Sequence, residues 1–204
     1  MARRNRYRGT MDTASLASFV DYVNARSAAQ CFIDQEEMCA TAFFNLGTLE
    51  LPGHGDYRAN LTLTPTAPYA TLLLANSARL KQKGIAEFLE DNRDFLEAIA
   101  ADGSDMDLKR AIATVRGITV DARSRADHED RDFGASRSAL EEIEARAKNG
   151  EALPRSFVFS CTPYEGLDQR EFHMRLNLIT GEEPVFTLRI IQLERIQEEM
   201  AGEF

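Results

Sequence analysis

Tryptophan is absent from this chain, and cysteine and histidine occur only three times each in 204 residues. Each scarcity argues against a class of function. Cys31, Cys39 and Cys161 are an odd set in a chain long enough to build a core without covalent staples. Free thiols in a reducing compartment are therefore expected, not a disulfide framework. Cys31 and Cys39 are expected to face each other across a hairpin centred near Gln35, where Asp34, Glu36 and Glu37 make a poor setting for a reactive thiolate. His54, His128 and His173 lie far apart, none with a second ligand at metal-binding spacing. His54 with Asp56 comes nearest, and it reads as a plain turn. The longest apolar runs, such as residues 70–75, are far too short to span a bilayer. No apolar stretch follows the leading arginines as a secretion signal requires. A cytoplasmic location without a membrane partner is the expectation.

Positive charge is also scarce. The chain has 24 Lys and Arg against 33 Asp and Glu, a net charge of −9. That balance disfavours a generic duplex-coating protein, because neutralising phosphates needs an excess of basic side chains. No phosphate-cradling G-x-x-x-x-G-K-[ST] loop occurs, no G-x-G-x-x-G turn between strand and helix, and no G-x-S-x-G nucleophile elbow. Cys161 and His173 fall on neighbouring expected strands, a placement any hairpin produces, so no nucleophile is assigned. No enzyme activity, metal or cofactor is expected.

What is present is a core built on phenylalanine. Hydrophobic residues make up 44% of the chain and include 12 Phe, ample for a folded interior. Residues 1–11 read as a flexible basic lead-in, and 12–204 as a single α+β domain with helices packed on one face of a largely antiparallel sheet. Asp12 or Thr13 is expected to cap a helix whose inward stripe is Leu16, Phe19, Val20 and Val23. Residues 28–63 change to short Phe-, Ile-, Leu- and Thr-rich segments separated by acidic or Gly-rich turns, which predicts a three-stranded antiparallel meander. A helix over 69–76 follows, then a longer one carrying Leu80, Ile85, Phe88, Leu89, Leu96 and Ile99 inward until Gly103 ends it, and a short one over 107–114. Residues 117–126 read as a strand, and 133–145 fit either a returning strand or a helix. Strands over 156–161, 171–179 and 184–193 and an acidic helix over 194–204, with Ile196 and Met200 inward, complete the pattern.

Three groups of residues are candidates for binding. Glu87, Glu90, Asp91, Asp94 and Glu97 line the outside of the longer helix, a spacing that a solvated face shares with a partner-binding one. Tyr164 and Glu165 sit in an aromatic turn between strands. Arg3, Arg4, Arg6, Arg8 and Arg175, with Arg170, Arg189, Tyr164 and Phe172, are the residues that a basic groove with stacking aromatics would use on single-stranded DNA.

Several phrases resemble one family. Ser15-Leu16-Ala17-Ser18-Phe19-Val20-Asp21-Tyr22-Val23-Asn24 resembles the opening of the YfdQ family, a domain of unknown function in tailed-phage and prophage proteins. Leu80-Lys81-Gln82 with Ala86-Glu87-Phe88-Leu89-Glu90-Asp91-Asn92 is similar to its central signature. Leu153-Pro154, Phe157, Pro163-Tyr164-Glu165-Gly166 and Arg175-Leu176 are similar to its C-terminal block. The resemblance implies a phage or prophage origin and action inside a bacterial cell, and it brings no catalytic residues. The expectation is a non-enzymatic accessory protein that inhibits or modulates a host defence or nucleic-acid-processing complex. The alternative is a recombination or replication accessory that contacts single-stranded DNA. Self-association through sheet edges or the C-terminal helix is expected with either.

Overall fold

Period-two alternation marks the buried positions of the strands Cys39–Phe43, Tyr57–Thr62 and Val185–Ile190, and the strands assemble into two sheets. The computed structural model of the chain describes residues 7–26, 29–118, 153–179 and 185–204. Strands β1 (Gly9–Thr13), β2 (Gln30–Asp34), β3 (Cys39–Phe43) and β4 (Tyr57–Thr62) form a four-stranded sheet in the order β1-β4-β3-β2. β2, β3 and β4 are the antiparallel meander that the sequence predicts, and β1 joins β4 in parallel. β1 begins inside the stretch expected to be a lead-in, because the free edge of β4 offers its backbone partners from Gly9 opposite Tyr57 to Thr13 opposite Leu61.

With Asp12 and Thr13 held in that strand, the cap of helix α1 (Leu16–Asn24) falls to Ser15, whose side chain accepts from the Ser18 N–H. Phe19 buries its ring, while Val20 stays 43% exposed. Ala40, Ala42, Ala59 and Leu61 are the buried positions of β3 and β4. The alternate positions, among them Phe43, Arg58 and Asn60, look the other way. Cys31 and Cys39 do not face each other. The turn pairs Asp34 with Cys39 and leaves Cys31 opposite Ala42, three pairs along and so on the other face.

The second sheet has six strands: β5 (Leu80–Lys81), β6 (Leu96–Ile99), β7 (Asp105–Met106), β8 (Ser156–Cys161), β9 (Arg170–Ile179) and β10 (Val185–Ile190), ordered β5-β10-β9-β8-β6-β7. Phe157, Phe159, Phe172 and Phe186 are all fully buried on it. Helix α2 (Ala67–Ala75) precedes it, and α3 (Gln82–Asp91) and α4 (Leu108–Arg116) pack with it through Ile85, Leu89, Ile112 and Val115. The Gln82 amide donates to the carbonyls of Val115 and Arg116 at 2.9 and 2.8 Å, satisfying acceptors that the end of α4 leaves unpaired.

The long helix expected up to Gly103 is instead β5, α3, a 3-10 turn (Arg93–Phe95) and β6. Asn92 ends α3 by donating from its side chain to the Phe88 carbonyl at 2.8 Å. Beyond it, Leu96 and Ala98 pair with Phe159 and Phe157, so a strand buries them better than another helical turn would. The 117–126 strand, the 133–145 segment, His128 and the 181–182 turn lie outside the described residues beyond Ile118. The remaining strands appear where expected, and α5 (Leu193–Glu203) buries Ile196 and Met200. The architecture is α+β.

The described residues divide into two compact units that are not contiguous in sequence. Those up to Ala70, with Thr162–Arg170 and Gln192–Phe204, form one, and those from Thr71 to Cys161, with Glu171–Ile191, form the other.

Two substitutions test this account. Asp107 accepts from the backbone N–H groups of Lys109 and Arg110 at 2.7 and 3.1 Å. Asp107→Ala is expected to lower stability by about 1 kcal/mol and Phe159→Ala by about 3–5 kcal/mol, both read from urea unfolding.

Candidate functional site: a tyrosine and arginine cluster

Helix α1 ends beside the rim of the four-stranded sheet, and its last turn leaves carbonyls without intrahelical partners. Arg26, just past that end, fills one of these places: its Nη1 donates to the Tyr22 carbonyl at 2.7 Å. The same geometry lays the guanidinium over the Tyr22 ring, 3.2 Å from its centroid. Phe44 and Tyr57 stand at 5.7 and 5.9 Å. Arg26 Nε donates to the Tyr57 hydroxyl. Phe44 and Tyr57 have centroids 4.8 Å apart, Tyr22 meets Phe44 edge-on at 5.8 Å, and Tyr7 stacks on Tyr57 at 6.0 Å. Tyr7 is 83% exposed, so the cluster reaches solvent.

The hydrogen bonds divide the two phenols. Tyr57 accepts from Arg26 first and from Tyr22 second, which stabilises its phenolate and lowers its pKa below 10.0. Tyr22 is raised above 10.0, chiefly because it donates to Tyr57 and then through burial. What the group offers is recognition: flat rings, a delocalised cation and phenolic donors, the side chains over-represented at binding hot spots. The sequence signal for it was the Tyr22/Arg26 spacing of four, which puts the pair on one helical face. The sheet's return to Phe44 and Tyr57 was not visible in that spacing.

The residues singled out from sequence are scattered. Glu87 pairs with Lys83 at 3.5 Å, Glu90 with Arg116 at 2.6 Å, and Asp94 with Arg93 at 3.5 Å. Asp91 closes α3 and Glu97 lies on β6, so the five carboxylates do not form one helical face. Tyr164 is half-buried, edge-on to Tyr69 at 5.7 Å, and burial pushes its phenol up. Its turn is fastened by the Thr66 hydroxyl, which donates to the Thr162 carbonyl at 2.6 Å. Gly166 there adopts φ +96°, and a Cβ on it would come within 3.2 Å of Leu16. Glu165 is exposed.

Arg3, Arg4 and Arg6 lie outside the described residues, and Arg8 is exposed. Arg170 is held by Glu203 at 2.5 Å and Glu199 at 3.6 Å, with its Nε buried and unpartnered. Phe172 faces the core, so it offers no ring for stacking. Arg175 and Arg189 are exposed and directly opposite each other on β9 and β10.

Cys161 is buried and His173 is not. Burial pushes the Cys161 thiol up to about 11. His54 is exposed, and among the described residues no group of three or more His, Cys, Asp or Glu is placed to hold a metal. Among them too, no helix is long and apolar enough to cross a membrane.

Tyrosine absorbance at 295 nm should show an ionisation below pH 10 in the native chain that Tyr57→Phe removes. Cys161 tests the burial argument independently. Its folded pKa lies above the ordinary 9.0, so the stability it contributes is whole below pH 9 and is lost as pH rises towards 11. At pH 8 the native chain should protect this thiol from a disulfide reagent while the exposed Cys31 reacts.

Compared with known proteins, residues 1–204 match one family model, described as an uncharacterized conserved protein (DUF2303). No curated protein and no solved structure matches the chain. With its whole length covered by that model, the chain belongs to the DUF2303 family of uncharacterized conserved proteins.

Proposed function

We propose that this chain is a non-enzymatic accessory protein that acts by binding a macromolecular partner. The observation that carries the reading is the solvent-reaching cluster of Tyr7, Tyr22, Arg26, Phe44 and Tyr57, in which Arg26 is already oriented against three rings. A fixed aromatic and guanidinium surface loses little conformational freedom on binding. In its finer form the proposal follows the resemblance of the chain's sequence phrases to YfdQ proteins. The origin is a phage or prophage, the setting is the cytoplasm of a bacterial cell, and the partner is a host defence or nucleic-acid-processing complex that binding inhibits or modulates. Exposed Asp91, Asp94 and Glu97 would oppose a DNA-binding cleft on such a partner, although Lys83, Arg93 and Arg116 neutralise part of that stretch. Self-association belongs to the proposal too. The β2 edge is its natural route, because Ile196 and Met200 of α5 are buried within the chain.

A second reading, contact with single-stranded DNA by a recombination or replication accessory, has its own support. Arg175 and Arg189 face each other across β9 and β10, and among the described residues no carboxylate forms an ion pair with either. Like charges placed directly opposite are destabilising, and a bound phosphate would relieve the repulsion.

The first reading is tested by affinity capture from bacterial cells with the native chain and an Arg26→Ala, Tyr57→Ala variant. A stoichiometric protein partner held by the native chain and reduced at least ~10-fold with the variant supports it, since hot-spot truncations cost about 2 kcal/mol or more. Equal capture by both, or no partner for either, overturns it.

A further inference from the structure

The meander carries aromatic rings where its alternation calls for polar side chains. One face of β3 and β4 is buried through Ala40, Ala42, Ala59 and Leu61, so the opposite face should be solvated and polar. It bears two phenylalanines instead. Phe32 of β2 is 56% exposed and Phe43 of β3 is half-buried, their rings edge to face with centroids 5.9 Å apart. The register sets Phe32 opposite Thr41 and Phe43 opposite both Gln30 and Arg58.

The polar groups between them are already in order. The Thr41 hydroxyl donates to Asn60 Oδ1 at 3.2 Å, and Asn60 Nδ2 donates to Asp12 Oδ1 at 2.8 Å. Arg58 donates from Nε to the Thr10 hydroxyl at 3.4 Å, and among the described residues no carboxylate pairs with it. Its remaining nitrogens are therefore open to an anion. Charge grades across the sheet: Arg58 and Arg8 mark one end, and the acidic Asp34–Glu37 turn marks the other. Arg3, Arg4 and Arg6 precede β1 closely in sequence.

We infer that this open sheet face is a seat for single-stranded nucleic acid, with bases stacked on Phe32 and Phe43 and phosphates met by Arg58 and Arg8. The inference deepens the second of the two readings above and rests on it. Sheet-borne aromatic rings alternating with hydroxyl and amide groups are a recurrent means of holding splayed bases, because every base has a π-face to stack. The acidic turn at the far end repels phosphate and so sets which way the strand leaves the sheet. Duplex DNA keeps its bases paired and stacked on one another, and cannot use the rings in this way.

The test uses fluorescence anisotropy at low salt with the full chain and a labelled oligothymidylate of roughly 20 nucleotides, a length that exceeds the ~4–16 nucleotides of typical single-strand sites, against a duplex of matched length. Binding of the single strand in preference to the duplex is expected. Phe32→Ala and Phe43→Ala should each weaken it by roughly 5- to 150-fold, the range of one lost base stack. Phe32→Tyr should retain it. Arg58→Gln should weaken binding and reduce its salt dependence by about one phosphate contact. Thermal melts of each variant show whether a loss is one of folding. Single-strand binding that survives all the Phe32 and Phe43 variants overturns the sheet-face site but leaves the reading of single-strand contact standing. No single-strand binding by the native chain overturns both. A dimer that Phe32→Ala dissociates, in a chain that ignores the oligonucleotide, assigns the face to a second copy and likewise overturns the inference.

Discussion

Everything described above depends on strand alternation, which sets the main buried face of each sheet. In the six-stranded sheet the buried face is a layer of phenylalanine, Phe157, Phe159, Phe172 and Phe186, which supplies the aromatic bulk of a chain without tryptophan. Fully burying such rings contributes about 1.5–3 kcal/mol each, and α3 and α4 pack with the same sheet. Because side chains alternate along a strand, committing Phe172 and Met174 inward commits His173 and Arg175 outward. The exposed arginine pair is thus a by-product of the core's register, and any function there uses what the core leaves over.

The four-stranded sheet works under the same constraint with less apolar material. Its buried strand positions are mostly alanine, Ala40, Ala42 and Ala59, small enough for α1 to approach closely. The larger side chains collect at the rim and on the open face. At the rim the docking of α1 draws Tyr22 and Arg26 against Phe44 and Tyr57, so one helix end is capped and a solvent-reaching aromatic surface is built by the same contacts. A small-residue core and a surface rich in rings are two sides of one distribution.

Much of this was legible in the sequence, and the exceptions have physical causes. The meander, the three C-terminal strands, α4 and α5 follow from periodicity and turn residues, which act locally. The end of the long expected helix, Leu96 to Ile99, did not, because its helical composition is overruled by pairing with β8, including Phe157 and Phe159, more than fifty residues away. β1 was hidden for a similar reason: Gly9–Thr13 has little apolar pattern and becomes a strand only because β4 has a free edge. The Tyr–Arg cluster gathers residues from four stretches of the chain, and only the Tyr22/Arg26 pair is local. The arginines chosen from sequence separate by environment, with Arg170 tied to α5 and Arg175 exposed on the sheet.

The interleaving of the two units has a consequence for how the chain comes to be folded. The unit that begins the chain also needs Thr162–Arg170 and the segment from Gln192 onward, so it stays unfinished while all the intervening residues are being synthesised. Until then that unit lacks α5, which buries Ile196 and Met200. Such long-range closure slows folding and prolongs the exposure of apolar edges. The nascent chain is therefore exposed to aggregation and proteolysis for as long as the residues between Ala70 and Gln192 are being made.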